Sequence, residues 1–288
     1  YAVKYFGEEQ LESNSFTYRL KTILDNVMYL MKHIMEELSQ SEFFVADCEL
    51  KIGEDIPSYT IVLPDGHKIA VCGSVDRVDI MQRADITYLR IIDYKTGTKQ
   101  FKLSDILYGI NLQMLLYLHL IEASGGDKYG EIVPAGILYM PATVPYISSD
   151  SLKSIDKLPD ELNKKLKMNG LLLKDTEIIH GMDKTDVATY IPVKIKAGEP
   201  VSSTSLATLA EFGKIFKKVD MLIAEMGKNI YNGNIEAKPL KGGHDSCEYC
   251  PYDSVCAYRQ SNPITCFSVD NKTVIEEITN EINGKEEE

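Results

Sequence analysis

From Leu103 to Ala123 the chain predicts a long helix that is apolar on almost every side. A helix without a polar face has to be buried around most of its circumference, so something extended must cover it. The flanking sequence supplies that cover. Phe43–Lys51, Tyr59–Leu63, Lys68–Ile80 and Ile86–Lys95 are rich in β-branched and aromatic residues and read as strands, with Pro64-Asp65-Gly66 as a hairpin turn. They predict an antiparallel meander with the helix laid on it. Gly125-Gly126 ends that helix, a further strand runs from Ile132 to Met140, and Pro141 and Pro145 mark its exit.

Around this centre the pattern turns amphipathic. Leu20, Ile23, Leu24, Val27, Leu30, Met31, Ile34, Met35 and Leu38 recur at three- and four-residue steps, predicting a helix over Ser13–Gln40 with one buried face. Residues 148–200 form a polar excursion with a helix at Leu152–Met168, a short segment at Leu171–Ile179 and a strand at Thr189–Lys196. Helical periodicity resumes over Ser203–Asn232 with Ser203 or Ser205 as N-cap. From Gly233 regular pattern is lost until a weak helix near Val274–Ile282. The division predicted is residues 1–232 as an α/β core carrying the 148–200 insertion, and residues 233–288 as a cysteine-bearing extension with an acidic tail. Because the chain opens on Tyr1, almost directly in helix-like sequence, it reads as a piece of something longer.

Charge narrows the functions available. With 31 Lys and Arg against 43 Asp and Glu, the formal charge is −12, which argues against a basic coat that grips nucleic acid by phosphate neutralisation alone. A local basic groove remains compatible with that total. Part of the acidity, from Glu276 and Glu277 through Glu281 to Glu286–Glu288, reads as a solvated or frayed end. No apolar run approaches the roughly 20 residues of a membrane span and no leader pattern is present, so a cytoplasmic location is expected.

The chemistry is concentrated where charge interrupts apolar strands. In Ile91-Ile92-Asp93-Tyr94-Lys95 the acid and the lysine are two apart and share a strand face, roughly 6.6 Å apart along it. The preceding strand, Gly73-Ser74-Val75-Asp76-Arg77-Val78-Asp79, offers two more acids; they differ by an odd number, so only one can join Asp93, and parity alone does not say which. Two carboxylates with a lysine suit metal-assisted phosphodiester hydrolysis. Hard oxygen ligands hold Mg²⁺ or Mn²⁺, and a lysine can orient or deprotonate water and offset transition-state charge. An isolated D-x-K is more often a salt-bridged strand end, and the second acid with its apolar flanks is what makes the chemical reading competitive. Gln113 and Tyr117, four apart and on one face of the apolar helix, add to it, because a glutamine there needs a polar partner.

Together, Gly73–Asp79, Leu89–Gly97 and Leu112–Tyr117 resemble the nuclease domain of the PD-(D/E)xK superfamily, in its RecB-, AddB- and Cas4-like branch. The resemblance implies a restriction-endonuclease-like core, a central mixed sheet flanked by helices. It implies Asp76 rather than Asp79 as the first metal-binding acid, Asp93 and the Tyr94 backbone carbonyl as further ligands, Lys95 as the catalytic lysine, and Gln113 and Tyr117 as the Q-x3-Y pair. A histidine carried by this branch on a helix before the sheet has no clear counterpart; His33 reads as a surface or core residue.

Cys247, Cys250 and Cys256 form C-x2-C-x5-C in an irregular stretch, a pattern that favours Zn²⁺ or an iron–sulfur cluster over chance thiols. Cys266 or His244 could complete a zinc site. The resemblance favours iron: it implies a [4Fe-4S] cluster on these three cysteines plus one upstream ligand, for which this chain has no counterpart, Cys48 and Cys72 reading as buried thiols. With three of four ligands, the cluster is expected to be held poorly or not at all.

The likeness to AddB-type subunits extends over nearly the whole chain and implies a Mg²⁺-dependent exodeoxyribonuclease domain acting on single-stranded DNA in double-strand break repair and recombination, beside an AddA-like helicase–nuclease partner. Gly97-Thr98-Lys99 lacks the glycine and the Ser or Thr of a phosphate loop, so ATP hydrolysis is not expected of this segment. The alternatives are an inactive DNA-binding or structural fragment and a free-standing Cas4-like exonuclease.

Overall fold

The structure is a computed structural model that describes residues 4–5, 13–97, 100–145, 158–202, 204–252, 254–256 and 263–286. Its elements begin with α1 (Asn14–Ser39), β1 (Phe44–Ile52), β2 (Tyr59–Val62), β3 (Lys68–Val71), β4 (Gly73–Arg83) and β5 (Ile86–Lys95). A 3-10 helix (Leu103–Tyr108) leads to α2 (Gln113–Ser124), the single turn α3 (Gly126–Tyr129) and β6 (Glu131–Pro141). Then come α4 (Leu158–Leu166), β7 (Asn169–Leu173), α5 (Thr176–Met182), β8 (Lys194–Lys196), β9 (Glu199–Val201), β10 (Leu206–Ala207), α6 (Leu209–Tyr231), β11 (Leu240–Gly242), β12 (Ile264–Cys266) and α7 (Asn271–Glu286).

Six strands make one mixed sheet in the order β1-β4-β5-β6-β7-β10. The expected α/β core is present, but the meander is not. β1 pairs antiparallel with β4, not with β2, and β2–β3 stand apart as a two-stranded ribbon, because the run expected over Lys68–Ile80 breaks at Cys72. β5 and β6 run parallel, the far side of the sheet being reached through the helical crossover.

That crossover is shorter than expected. The apolar stretch is broken by Gly109 (φ +68°) and Asn111 (φ +55°), left-handed conformations that an α-helix cannot pass through. What remains, α2, is buried as its composition demands: Met114, Leu115, Leu118, His119, Leu120 and Ile121 are all covered. α6 begins later than expected, at an N-cap Thr208 that forms a capping box with Glu211, while Ser205 is buried ahead of β10 and Ser203 lies outside the described residues.

Three further expectations change. α1 forms where its periodicity predicts, yet its buried residues are His33 and Glu37; of the apolar stripe, Ile23, Leu24, Val27, Met31 and Met35 are exposed, from 47% at Val27 to 67% at Met35, while Leu20, Leu30, Ile34 and Leu38 are half-buried. The helix is fastened by charge near its C-terminal end rather than by its greasy face. The Leu152–Met168 helix is described only as α4, residues 152–157 lying outside the described set, and the Thr189–Lys196 strand reduces to β8. The acidic tail is not frayed through residue 286: α7 buries Val274, Ile275, Ile278 and Ile282 in the same core as the sheet, and Glu281 meets Lys218 at 2.5 Å. Glu276 and Glu277 face solvent as expected, and Glu287 and Glu288 lie outside the described residues.

Candidate active site

Strand register decides which acid meets Asp93. β4 and β5 pair antiparallel down to Arg77↔Ile92, so one step further sets Asp76 opposite Asp93. The strands part there. The Tyr94 backbone N–H, instead of meeting a β4 carbonyl, donates to Asp76 Oδ2 at 3.0 Å. Asp93 is buried at 6% exposure, and Lys95 Nζ, two residues on and on the same face, lies 2.5 Å from its Oδ2. Lys95 Nζ also sits 5.8 Å from the centroid of Tyr139, the β6 residue in register with Asp93. Burial first, and then the charges of Asp93 and Asp105, push the Tyr139 phenol up to about 12.

α2 contributes from above. Gln113 is exposed at the first position of the helix rather than buried in it, and its Nε2 lies 3.4 Å from Tyr117 Oη. Tyr117 lies against β4 at Gly73, where an added Cβ would stand 2.5 Å from the phenol oxygen and 2.6 Å from the ring. Glycine three residues before Asp76 is therefore what lets the tyrosine lie this close to the strand that carries the acid.

Asp79 has a different occupation. On the opposite face of the sheet it takes Arg77 through Nε (2.8 Å) and Nη2 (2.7 Å) and Arg90 through Nε (3.0 Å). Glu37 of α1 completes the cluster, accepting from Arg77 Nη2 at 3.1 Å and from Arg90 Nη2 at 2.6 Å. Burial works to raise the Asp79 carboxyl, and Arg90 and Arg77 outweigh it, holding it below its ordinary range. His33 is on α1 as well, buried beside Tyr190 at 5.3 Å between ring centroids, with burial pulling its imidazole down. Strand parity puts Asp79 on the face opposite Asp93, and among the described contacts none links His33 to Asp93.

The donor set suits a hard divalent cation. Asp76 and Asp93 offer carboxylate oxygens from adjacent strands, and Asp93 Oδ2 is buried, accepts no well-directed hydrogen bond, and has Lys95 as its one ion-pair partner among the described residues. Among those residues no three His, Cys, Asp or Glu side chains converge as metal ligands, so any third donor here is backbone or water. The same finding bears on the cysteines. Cys247 and Cys250 are half-buried and Cys256 is exposed, in a turn-rich loop between β11 and β12, and their sulfurs do not gather at one centre. Cys48 and Cys72 are exposed rather than buried, and Cys266 is buried on β12, with His244 outside any such cluster. As arranged, these residues do not fit a cluster or a zinc ion.

Residues 4–257 match the family described as the PD-(D/E)XK nuclease superfamily. The chain belongs to that family. Among its relatives are proteins whose name makes each of them one subunit, the AddB type, of an ATP-dependent helicase/deoxyribonuclease. The one from Thermoanaerobacter sp. (strain X514) is 38% identical over 246 residues, covering 83% of this chain and 21% of its own length. Those from Alkaliphilus oremlandii and Clostridium kluyveri are each 36% identical, over 91% and 94% of this chain and 24% of their own lengths. The chain thus spans about a fifth to a quarter of the curated relatives it matches. Among the described residues no helix is long and apolar enough to cross a membrane.

Two features escape a reading of the sequence. Gly73 belongs to the strand motif, but its steric role shows only once Tyr117 is placed against it. His119, in the middle of α2, binds Asp220 of α6 through Nε2 at 3.1 Å, and Tyr59 donates to the same carboxylate at 3.1 Å. For that pair a signal exists: a titratable side chain inside an apolar helix requires a partner as much as a glutamine does.

Proposed function

We propose that this nuclease-family chain is the nuclease domain of a helicase–nuclease subunit and hydrolyses phosphodiester bonds of single-stranded DNA, exonucleolytically, in the cytoplasm. The observation that carries the reading is the junction of Asp76, Asp93 and Lys95 on one face of the β4–β5 pair, with Asp93 Oδ2 buried and, among the described residues, ion-paired to Lys95 alone. Asp76, Asp93 and the Tyr94 carbonyl would hold Mg²⁺ or Mn²⁺. When bound, that ion polarises a phosphoryl oxygen and acidifies water.

The chain's own groups do the rest. The Tyr94 N–H fixes the Asp76 carboxylate through its Oδ2. The Lys95 ammonium, 2.5 Å from Asp93 Oδ2, orients the attacking water and offsets negative charge growing on the phosphate. Gln113 and Tyr117 present an amide and a hydroxyl beside the same strand, suited to hold the strand to be cut. In this proposal residues 1–232 carry the catalytic groups, and 233–288 carry the cysteines together with α7, which packs into the same core rather than standing apart from it. Cys247, Cys250 and Cys256 are proposed as iron–sulfur ligands only in an arrangement other than the present one, and no catalytic step uses them. The name of the relatives, one subunit of an ATP-dependent helicase/deoxyribonuclease, supports a DNA substrate and a helicase-type partner; an AddA-like partner and a role in double-strand break repair and recombination are part of the proposal.

Cleavage of a labelled single-stranded oligonucleotide with Mg²⁺ or Mn²⁺, by the chain and by Lys95→Ala, tests this. Loss of cleavage in the variant and in EDTA is expected; equal traces in both proteins would overturn the assignment. A second reading, binding without cutting, is favoured by one observation: His33 packs against Tyr190, and among the described contacts none links it to Asp93.

A further inference from the structure

In a chain of formal charge −12, one region is locally cationic. A groove of about 550 Å³ starts at Thr96 and Gly97, the two residues after Lys95, and runs past Thr143 to Lys164, Lys165 and Lys167. A second depression shares Lys164 and Lys167 and continues to Lys194 and Lys196. The two therefore form one path, leading away from the C-terminal ends of the parallel strands β5 and β6. In open α/β sheets that end is where ligands are received.

Lys167 is part of the wall. It is half-buried, donates to the Ala188 and Val193 carbonyls at 2.6 and 2.9 Å, and burial lowers its ammonium. Lys164, Lys194 and Lys196 differ: they are exposed and, among the described residues, make no ion pair. The nearest carboxylate by register, Glu199 opposite Lys196, accepts from Thr176 Oγ1 at 2.6 Å. Uncompensated like charges set along one path repel one another, and a polyanion would relieve that. Asn169 and Thr204 in the lining add amide and hydroxyl groups of the kind that contact phosphate and sugar.

We propose that this lysine path carries the phosphodiester backbone of one unpaired DNA strand to or from the carboxylates. Its volume is that of a cleft enclosing one small molecule, room for a nucleotide or two of a single strand and not for a duplex. The proposal rests on the nuclease reading for its direction, since the path leads to Lys95, but its binding test does not need cleavage.

The test is fluorescence anisotropy of a labelled single-stranded oligonucleotide with the 288-residue chain in EDTA, across a salt series. It compares Lys164→Glu/Lys194→Glu/Lys196→Glu with a control of equal charge, Lys21→Glu/Lys32→Glu/Lys228→Glu on α1 and α6, and with the Gln version of the groove triple. Each phosphate contact contributes about 0.7 to the slope of log affinity against log salt for single strands. Removing three should lower the slope by about 2 and weaken binding on the order of 100-fold at 0.1 M salt. The Gln triple should lose most of this, with far-ultraviolet circular dichroism unchanged, and the control little. Equal losses in groove and control variants, or an unchanged salt slope in the groove triple, overturn the path even if the parent cleaves DNA. A parent that binds through the path but never cleaves would sink the nuclease reading and leave the path standing.

Discussion

Glu37→Ala is the substitution whose consequence the structure sets most closely. Glu37, Asp79, Arg77 and Arg90 are two anions and two cations, none more than 2% exposed at the side chain. Removing Glu37 deletes two charge-assisted hydrogen bonds, from Arg77 Nη2 and Arg90 Nη2, at about 1.5–3 kcal/mol each. It leaves one positive charge in excess in a dry site, and breaking a buried pair from one side costs about 3–5 kcal/mol. The two routes agree on about 4 kcal/mol. Arg90 has little in reserve: its Nη1 is already without a hydrogen-bond acceptor among the described residues, and its guanidinium lies 5.0 Å from the Phe43 ring centroid. Since α1 buries only His33 and Glu37, the loss should also free that helix. Urea unfolding followed by circular dichroism at pH 7 measures it, with a melting drop of about 10 °C as a second readout. The control is Glu36→Ala, an exposed neighbour 3.8 Å from Lys32, expected within about 0.5 kcal/mol of the parent. A Glu37→Ala loss below about 1 kcal/mol would refute the claim that charge fastens this helix.

Other outcomes follow from single contacts. Burial lowers the His119 imidazole, but the hydrogen bond to Asp220 and the charges of Asp220 and Glu122 carry it up to about 9. A raised folded pKa means its stabilisation is complete below about pH 6.5 and lost as pH rises to about 9; unfolding free energy should fall across that window by on the order of 1–2 kcal/mol, and His119→Gln should flatten the fall. Gly73→Ala should displace Tyr117 and cut cleavage of single-stranded DNA several-fold, with partial recovery in Gly73→Ala/Tyr117→Ala of stability but not of rate; an unaffected single variant would contradict the packing. Thr208→Ala removes a capping box and should cost about 1 kcal/mol in thermal unfolding.

Much of the site is legible in the sequence because strand chemistry has period two. Asp93 and Lys95 share a face by spacing alone, and their apolar neighbours announce burial. The choice between Asp76 and Asp79 needs register, which a single strand does not contain; pairing to Arg77↔Ile92 supplies it, and the two arginines explain why Asp79 is buried at all. The α2 helix is legible from its composition, while its late start depends on two left-handed residues, of which only Gly109 is the usual type. α1 misleads because an apolar stripe predicts a buried face only when something is there to cover it. The N-cap at Thr208 is outcompeted on paper by nearer serines, although Glu211 three residues on is the better sign. The cysteines carry a ligand spacing whose geometry is not realised in the folded loop.

In the proposed reaction Asp76 and Asp93, and not Asp79, form the cutting centre. The most direct test of this is the rate of single-stranded oligonucleotide cleavage in Mn²⁺ by the parent, Asp76→Asn, Asp93→Asn and Asp79→Asn, each with its melting temperature. The first two variants should lose cleavage by two or more orders of magnitude while melting like the parent, whereas Asp79→Asn should melt lower and its folded fraction still cut. Cleavage by Asp76→Asn or Asp93→Asn at the parental rate would contradict this assignment.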